Sequence, residues 1–274
     1  MKLFSEFIDG MFFNLDQRSY WQAEHYGFNY QRFTAKLADN NTISGQVIIP
    51  NTAKPLADIL FFHSAQFNYQ FSLPMTAFLY KAGFRVTMFD YRGGGESRGK
   101  ASMNNIKEDA RAVFDWMKSA GYGKQGLVFF GQGVGADCAL QLYKDVPHDV
   151  NGLILESVYN TKKGWLKEKW GPVIGDIAAA CLNVTAIDPA EILPTVKVPC
   201  LIVQPELDTF CRKQQRLLVR QHAPKGAQIL NIANCKYLYP FAGQYPQWEK
   251  KAVEFITKKG SSSFHGKVAK TLKI

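Results

Sequence analysis

Between Phe129 and Cys138 the chain reads FFGQGVGADC, in which the apolar run GLVFF turns through glycines at alternate positions into the helix-like run ADCALQLYKD. Glycine at 131, 133 and 135 marks backbone that bends sharply or passes close to other chain, where a side chain has no room. A strand that must become a helix within two or three residues is the signature of an α/β architecture, and few folds other than strand–helix repeats accommodate it.

The 274 residues are 46% hydrophobic and 14% aromatic, enough for one large core and a single domain. No run of about 18 apolar residues is available to cross a bilayer. The opening MKLFSEFIDGMFF carries Glu6 and Asp9 where a signal peptide needs an unbroken apolar stretch. Five cysteines (Cys138, Cys181, Cys200, Cys211 and Cys235) form no ligand cluster and no disulfide framework, so a reducing cytoplasm is expected, with no metal and no cofactor. The formal charge is +10. Lys250, Lys251, Lys258, Lys259, Lys267, Lys270 and Lys273 supply part of it, and 259–274 reads as a solvated basic tail. Such charge suits an acidic partner or an anionic membrane surface; no specific nucleic-acid binding is expected.

Leu3, Phe4, Phe7, Ile8, Met11 and Phe12 recur at helical spacing, predicting an amphipathic helix that packs on the domain, with 1–28 as its lead-in. Extended runs follow: NYQRFTAKL, TISGQVIIP and DILFFH. Helix and strand then alternate through LPMTAFLYKAG, FRVTMFD, MNNIKEDARAVFDWMKSAG, GLVFFG, ADCALQLYKD and GLILES. Beyond them come PCLIVQ, RKQQRLLVRQH, AQILNIA and QWEKKAVEFITKK. This order predicts one domain over 29–258 with a mostly parallel central sheet, helices on both faces, and chemistry at the carboxyl ends of the strands.

The glycine turn has two readings. Gly131, Gly133 and Ala136 satisfy the dinucleotide pattern GxGxxG/A, with Glu156 as the ribose-binding acid, although that fingerprint belongs to a unit that opens its own domain. Alternatively, Gly131-Gln132-Gly133-Val134-Gly135 is a nucleophile elbow, G-x-S-x-G, with glycine in place of serine. A fluorescence titration with NAD or FAD separates the two.

The surrounding chain resembles the α/β-hydrolase superfamily, in the branch of serine aminopeptidases and monoacylglycerol-lipase-like enzymes, from about Tyr30 to about Phe255. LADILFFHSAQFN is similar to a strand ending in His-Gly-x-x-x-Asn, through His63, Ser64 and Asn68; FRVTMFDYRGGGESRGK matches D-x-R-G-x-G-x-S through Asp90, Arg92, Gly93, Gly95 and Ser97. DPAEILPTVKVPCLIVQPELD is similar to the segment that carries the catalytic acid, which would be Asp208. The resemblance implies the α/β-hydrolase fold with a minimal cap at about 157–195.

It also implies a triad of Ser, His and acid with two backbone N–H groups as oxyanion hole. Here the serine position is Gly133, and the histidine position is Tyr237 or, with a one-residue slip, Lys236; the next histidine is His265. Ala65 and Val134 would present the oxyanion N–H groups beside Ser64. The expectation is a non-catalytic binding or regulatory relative of ester- and peptide-cleaving hydrolases, holding a small acyl or ester-like ligand. The alternative is an active ester or thioester hydrolase with a displaced nucleophile at Ser64, Ser157, Cys138 or Cys235. His63 and the Asp90, Arg92 and Ser97 turn are read as scaffold, and His25, His148 and His222 as surface residues. In the cap, Leu166, Trp170, Val173, Ile174 and Ile177 fall on one helical face expected to pack on the body, with Lys162, Lys163, Lys167 and Lys169 nearby; the alternative is a basic, aromatic surface for anionic lipid or an acidic partner.

Overall fold

Runs such as ILFF (59–62) and LVFF (127–130) are apolar on both faces of the strand, so both faces must be covered. A computed structural model describes residues 2–182, 184–238 and 244–260. Most of the basic tail, with His265, lies outside the described residues. The helix α1 (Lys2–Gly10) and the two-residue strand β1 (Asn14–Leu15) lead into the hairpin β2 (Asn29–Lys36) and β3 (Thr42–Ile49). Next come β4 (Asp58–Phe62), the short β5 (Gln66–Phe67), α2 (Tyr69–Lys81), β6 (Arg85–Phe89), α3 (Ile106–Ser119), β7 (Leu127–Gln132), α4 (Val134–Asp145) and β8 (Gly152–Glu156). After α5 (Lys162–Trp170), α6 (Pro172–Cys181) and the single turn α7 (Pro189–Ile192), the chain closes with β9 (Cys200–Leu207), α8 (Lys213–His222), β10 (Gln228–Lys236) and α9 (Pro246–Gly260).

Eight strands form one sheet in the order β10-β9-β8-β7-β4-β6-β3-β2. The six from β10 to β6 are parallel, and β3 and β2 close the other edge as an antiparallel hairpin. Alternate residues of the central strands serve opposite faces, as a period of two requires. Leu60 and Phe62 of β4 and Leu127 and Phe129 of β7 join a core with α3 and α4. Ile59, Phe61, Val128 and Phe130 join the other core, with α2 and α9.

Two features go beyond the pattern read from the sequence. The lead-in is stitched into the body: β1 pairs in parallel with β5, Asn14 N–H donates to the Ala65 carbonyl at 2.9 Å, and Ile8 and Phe12 are buried. The cap stripe, by contrast, is not continuous. Gly171, at φ 81°, and Pro172 at the first position of α6 end one helix and start another. The reversal keeps Leu166 buried but turns Val173, Ile174 and Ile177 outward, at 71%, 60% and 56% exposed, which corrects the expectation that this stripe packs on the body. Lys162 is likewise no surface cation. It is buried between Asp137 and Asp188, at 3.1 and 3.2 Å.

The sharp β7–α4 turn lies against the end of β4. A Cβ on Gly135 would sit 2.2 Å from the Phe62 carbonyl oxygen and 2.4 Å from that of His63; one on Gly131 would sit 2.5 Å from the Ala136 Cα. All these partners are backbone, which cannot step aside as a flexible side chain can. Gly135→Ala is therefore expected to cost roughly 3 kcal/mol or more, read as a lowered midpoint in urea unfolding.

Candidate functional site

At the tip of the turn, Gly133 adopts φ 56°, ψ −117° and donates its N–H to the Glu156 carbonyl at 2.9 Å. This is backbone that L side chains rarely adopt. The space a side chain would enter is already filled: a Cβ at Gly133 would lie 2.2 Å from the Tyr237 hydroxyl oxygen and 3.2 Å from the Phe210 ring. The structure thus brings Gly133 and Tyr237 together, although they are distant in sequence. It points Tyr237, not Lys236, at the turn.

Tyr237 follows β10, and its ring stacks on Phe210 with centroids 4.8 Å apart and planes 11° from parallel. Phe210 in turn meets Trp165 of the cap at 5.3 Å, and Trp165 stacks on Phe12 of the lead-in at 4.5 Å. An aromatic column therefore runs from the floor of the cleft to the N-terminal segment. The Tyr237 hydroxyl is buried without a hydrogen-bond partner, with Ser64 as a polar neighbour. Burial, reinforced by the nearby Asp208 charge, drives its pKa well above the usual phenol range, so it is a neutral phenol.

Asp208, just beyond β9, accepts from the Phe210 and Cys211 N–H groups through Oδ1, at 2.7 and 2.9 Å. These two bonds shape the loop that presents Phe210. Its Oδ2, the oxygen left over for a further donor, is buried and unpartnered. Burial pushes its pKa up to about 6. Glu156, ending β8, is a second buried acid: Oε2 accepts from the Gln132 amide at 2.8 Å, Oε1 has no partner, and burial, with a smaller contribution from Asp208, raises it to about 7. Nothing in the sequence pattern singled out Glu156 as Asp208's neighbour, because the two meet only through the pairing of β8 with β9.

The residues expected to form the oxyanion hole lie at the same strand ends. Ala65 has φ 57° and Val134 opens α4, fully buried. Ser64 is buried beside them in sequence, its Oγ accepting from the Gln66 N–H at 3.3 Å. His63 is buried with its ring against Tyr91 and 3.7 Å from Asp90; desolvation pulls its pKa down to about 3, so it is neutral and turned away from a role as base. Asp90, Arg92 and Ser97 hold the neighbouring turn: the Ser97 hydroxyl donates to the Asp90 carbonyl at 2.8 Å, and Arg92 pairs with the buried Asp109 at 2.8 Å. His25 and His148 are exposed and His222 is half-buried, its ring against the Leu218 carbonyl. The dinucleotide reading finds no room, since the first turn of α4 is wholly buried under these contacts.

Above Tyr237 a cavity of about 240 Å³ remains, lined by Gln66, Trp165, Glu168, Lys169, Phe210 and Arg212 among others. Lys169 lies over the Trp165 ring at 4.5 Å, and Arg212 donates to the Glu168 carbonyl, so the mouth is basic and aromatic. A larger cavity, about 480 Å³, lies away from the turn between β2, β3 and the start of α2.

Gly133→Ser alone is expected to destabilise the protein by about 2 kcal/mol or more, through strained backbone and collision with Tyr237. Tyr237→Ala in the same chain should recover part of the loss, a non-additivity that a double-mutant cycle measures. The two raised carboxyls predict a pH effect of definite sign. Stability contributed by their protonated forms is complete below the ordinary carboxylate values, 4.5 for Glu156 and 3.8 for Asp208, and is lost as pH rises through about 7 and about 6. Glu156→Gln should therefore flatten the decline in unfolding free energy between about pH 5 and about pH 8, by on the order of 2 kcal/mol, as read by denaturant titration at the two pH values.

Residues 53–178 match the family described as serine aminopeptidase, S33. Protein bem46 of Schizosaccharomyces pombe is 24% identical over 199 residues, 72% of this chain and 66% of bem46, so the chain spans just under two thirds of that relative. The uncharacterized protein YfhR of Salmonella typhimurium is 25% identical over 245 residues, 82% of this chain and 80% of YfhR. Among solved structures, an esterase of Pyrococcus furiosus superposes with a TM-score of 0.70 at 18% identity, covering 90% of this chain and 98% of the esterase. That likeness is one of fold. Strand order, the β7–α4 elbow and these relatives converge on one conclusion: the chain has the α/β-hydrolase fold, and over residues 53–178 it is similar to the serine aminopeptidase, S33, family.

Proposed function

We propose that this chain is a non-catalytic member of the superfamily whose cleft binds a small acyl or ester-like ligand, in a binding or regulatory role in the cytoplasm. The observation that carries the reading is the Tyr237 hydroxyl, which stands 2.2 Å from where a Cβ on Gly133 would be. The position where a hydrolase needs its nucleophile is occupied by an inert phenol, and among the described residues no histidine stands where the general base would have to be. Loss of both partners typically forfeits a factor of roughly 10⁴–10⁶ in rate while leaving a binding site. Ligand recognition then falls to the aromatic wall of Trp165, Phe210 and Tyr237 and the cations Lys169 and Arg212, with the Ala65 and Val134 N–H groups as candidate donors to a carbonyl oxygen.

The competing reading, a hydrolase with a displaced nucleophile, fits the side chains less well. Burial holds the Cys138 thiol well above its ordinary pKa and pushes Cys235 up to about 11, so neither is a ready thiolate. Ser157, buried at φ 54°, has the raised Asp208 carboxyl beside it and, among the described residues, no imidazole.

The test is hydrolysis of p-nitrophenyl and acyl-thioester substrates by the native protein and by the Gly133→Ser, Tyr237→His double variant. The expected result is no native turnover and measurable turnover in the variant, in which the tyrosine that would collide with a serine is gone. Native turnover that disappears on Ser157→Ala or Cys235→Ala would overturn the proposal.

A further inference from the structure

Helix α6 has the sequence PVIGDIAAAC, with Asp176 as its one charged residue. Its inner face is set by Gly175, where a Cβ would lie 2.4 Å from the Lys167 Cα, so α6 is clamped backbone to backbone against α5. Gly175 and Ala178 are buried, while Pro172, Val173, Ile174, Ile177 and Ala180 all face outward and exposed. With that orientation locked, the aliphatic tips cannot turn inward. Helix α1 packs beside α6. A contiguous apolar ridge of this kind marks a contact surface.

The flanks of the ridge are basic. Lys163 and Lys167 reach Asp176 on one side, at 3.5 and 2.8 Å. On the other side the exposed Lys169 and Arg212 stand around Glu168 and Trp165, just before the turn into α6. Lys163, Lys167, Lys169 and Arg212 against Asp176 and Glu168 leave the rim net positive, the same sign as the +10 of the whole chain. An aliphatic face bounded by cations is the pattern that inserts shallowly among acidic lipid headgroups.

We infer that the outer face of α6, with the lysines of α5, docks this protein on an anionic lipid bilayer. Charge selects this occupant over a second copy of the chain, whose matching positive rim would repel. Shape selects it over a folded partner: the face is a convex ridge, no residue of α6 lines either cavity described above, and the aliphatic tips offer no aromatic anchor seated in a pocket. A bilayer requires neither groove nor register. Docked in this way, the mouth formed by Trp165, Lys169 and Arg212 would lie beside the membrane plane, because α5 and α6 form one hairpin. The inference stands on the surface alone and does not depend on what the cleft holds.

The test is cosedimentation of the purified full chain with vesicles of phosphatidylcholine alone or of equal parts phosphatidylcholine and phosphatidylglycerol, beside the Val173→Ser, Ile174→Ser, Ile177→Ser triple variant. The expected result is association with the anionic vesicles, weakened at least about tenfold in the triple variant and reduced by added salt. The melting temperature of the variant should match that of the native protein, since all three side chains are exposed. No association with anionic vesicles, equal association with neutral ones, or undiminished binding by the triple variant would overturn the inference. So would sedimentation showing a native dimer that the triple variant dissociates, which would make the ridge an interface between copies.

Discussion

Everything at the carboxyl edge of the sheet depends on how closely β7 and α4 approach the end of β4. With Gly135 against the Phe62 and His63 carbonyls and Gly131 against Ala136, the turn after β7 has one position it can occupy. From that position the Gly133 N–H reaches β8, the start of α4 is sealed, and residue 133 is aimed at the loop beyond β10. The constraint is steric and backbone-borne, so it persists whatever side chain stands at 133. This is why the elbow retains its shape while carrying no hydroxyl.

What fills the space around that elbow is a run of packed aromatic rings. Tyr237, Phe210, Trp165 and Phe12 form a column that ties four distant segments together, and ring stacking of this kind adds about 0.5–1.5 kcal/mol per pair beyond the area buried. Beneath it lie polar atoms with no partner, Asp208 Oδ2, Glu156 Oε1 and the Tyr237 hydroxyl. Unpartnered buried groups oppose folding. The column compensates from above, and burial raises both carboxyls so that Glu156 takes up a proton as pH falls through about 7 and Asp208 as it falls through about 6.

The cap shows the same economy at the surface. A glycine–proline pair reverses the chain at 171–172, so α5 faces the cleft with Trp165 while α6 faces outward with three large aliphatic side chains. One short hairpin therefore supplies both a wall of the cavity and an exposed apolar ridge, joined by Gly175. Cleft and ridge are mechanically a single unit.

The order of strands and helices was legible in the sequence, because doubly covered strands are short apolar runs and surface helices repeat at 3.6 residues, both of them local properties. The elbow was legible too, since glycines at 131 and 135 are demanded by a turn that involves only neighbouring residues. Asp208 and Tyr237 could be placed only through resemblance to a family. Three things were not legible. The aromatic column joins positions 12, 165, 210 and 237, which have no common spacing; Glu156 becomes Asp208's neighbour only when β8 pairs with β9; and the face α6 shows to solvent is set by contact with α5 rather than by its own apolar pattern. The sequence by itself determined which segments are strand, helix and glycine turn, and that residue 133 has no hydroxyl. Only the tertiary structure decided what stands in its place, because which side chain fills a space is settled by contacts between segments far apart along the chain.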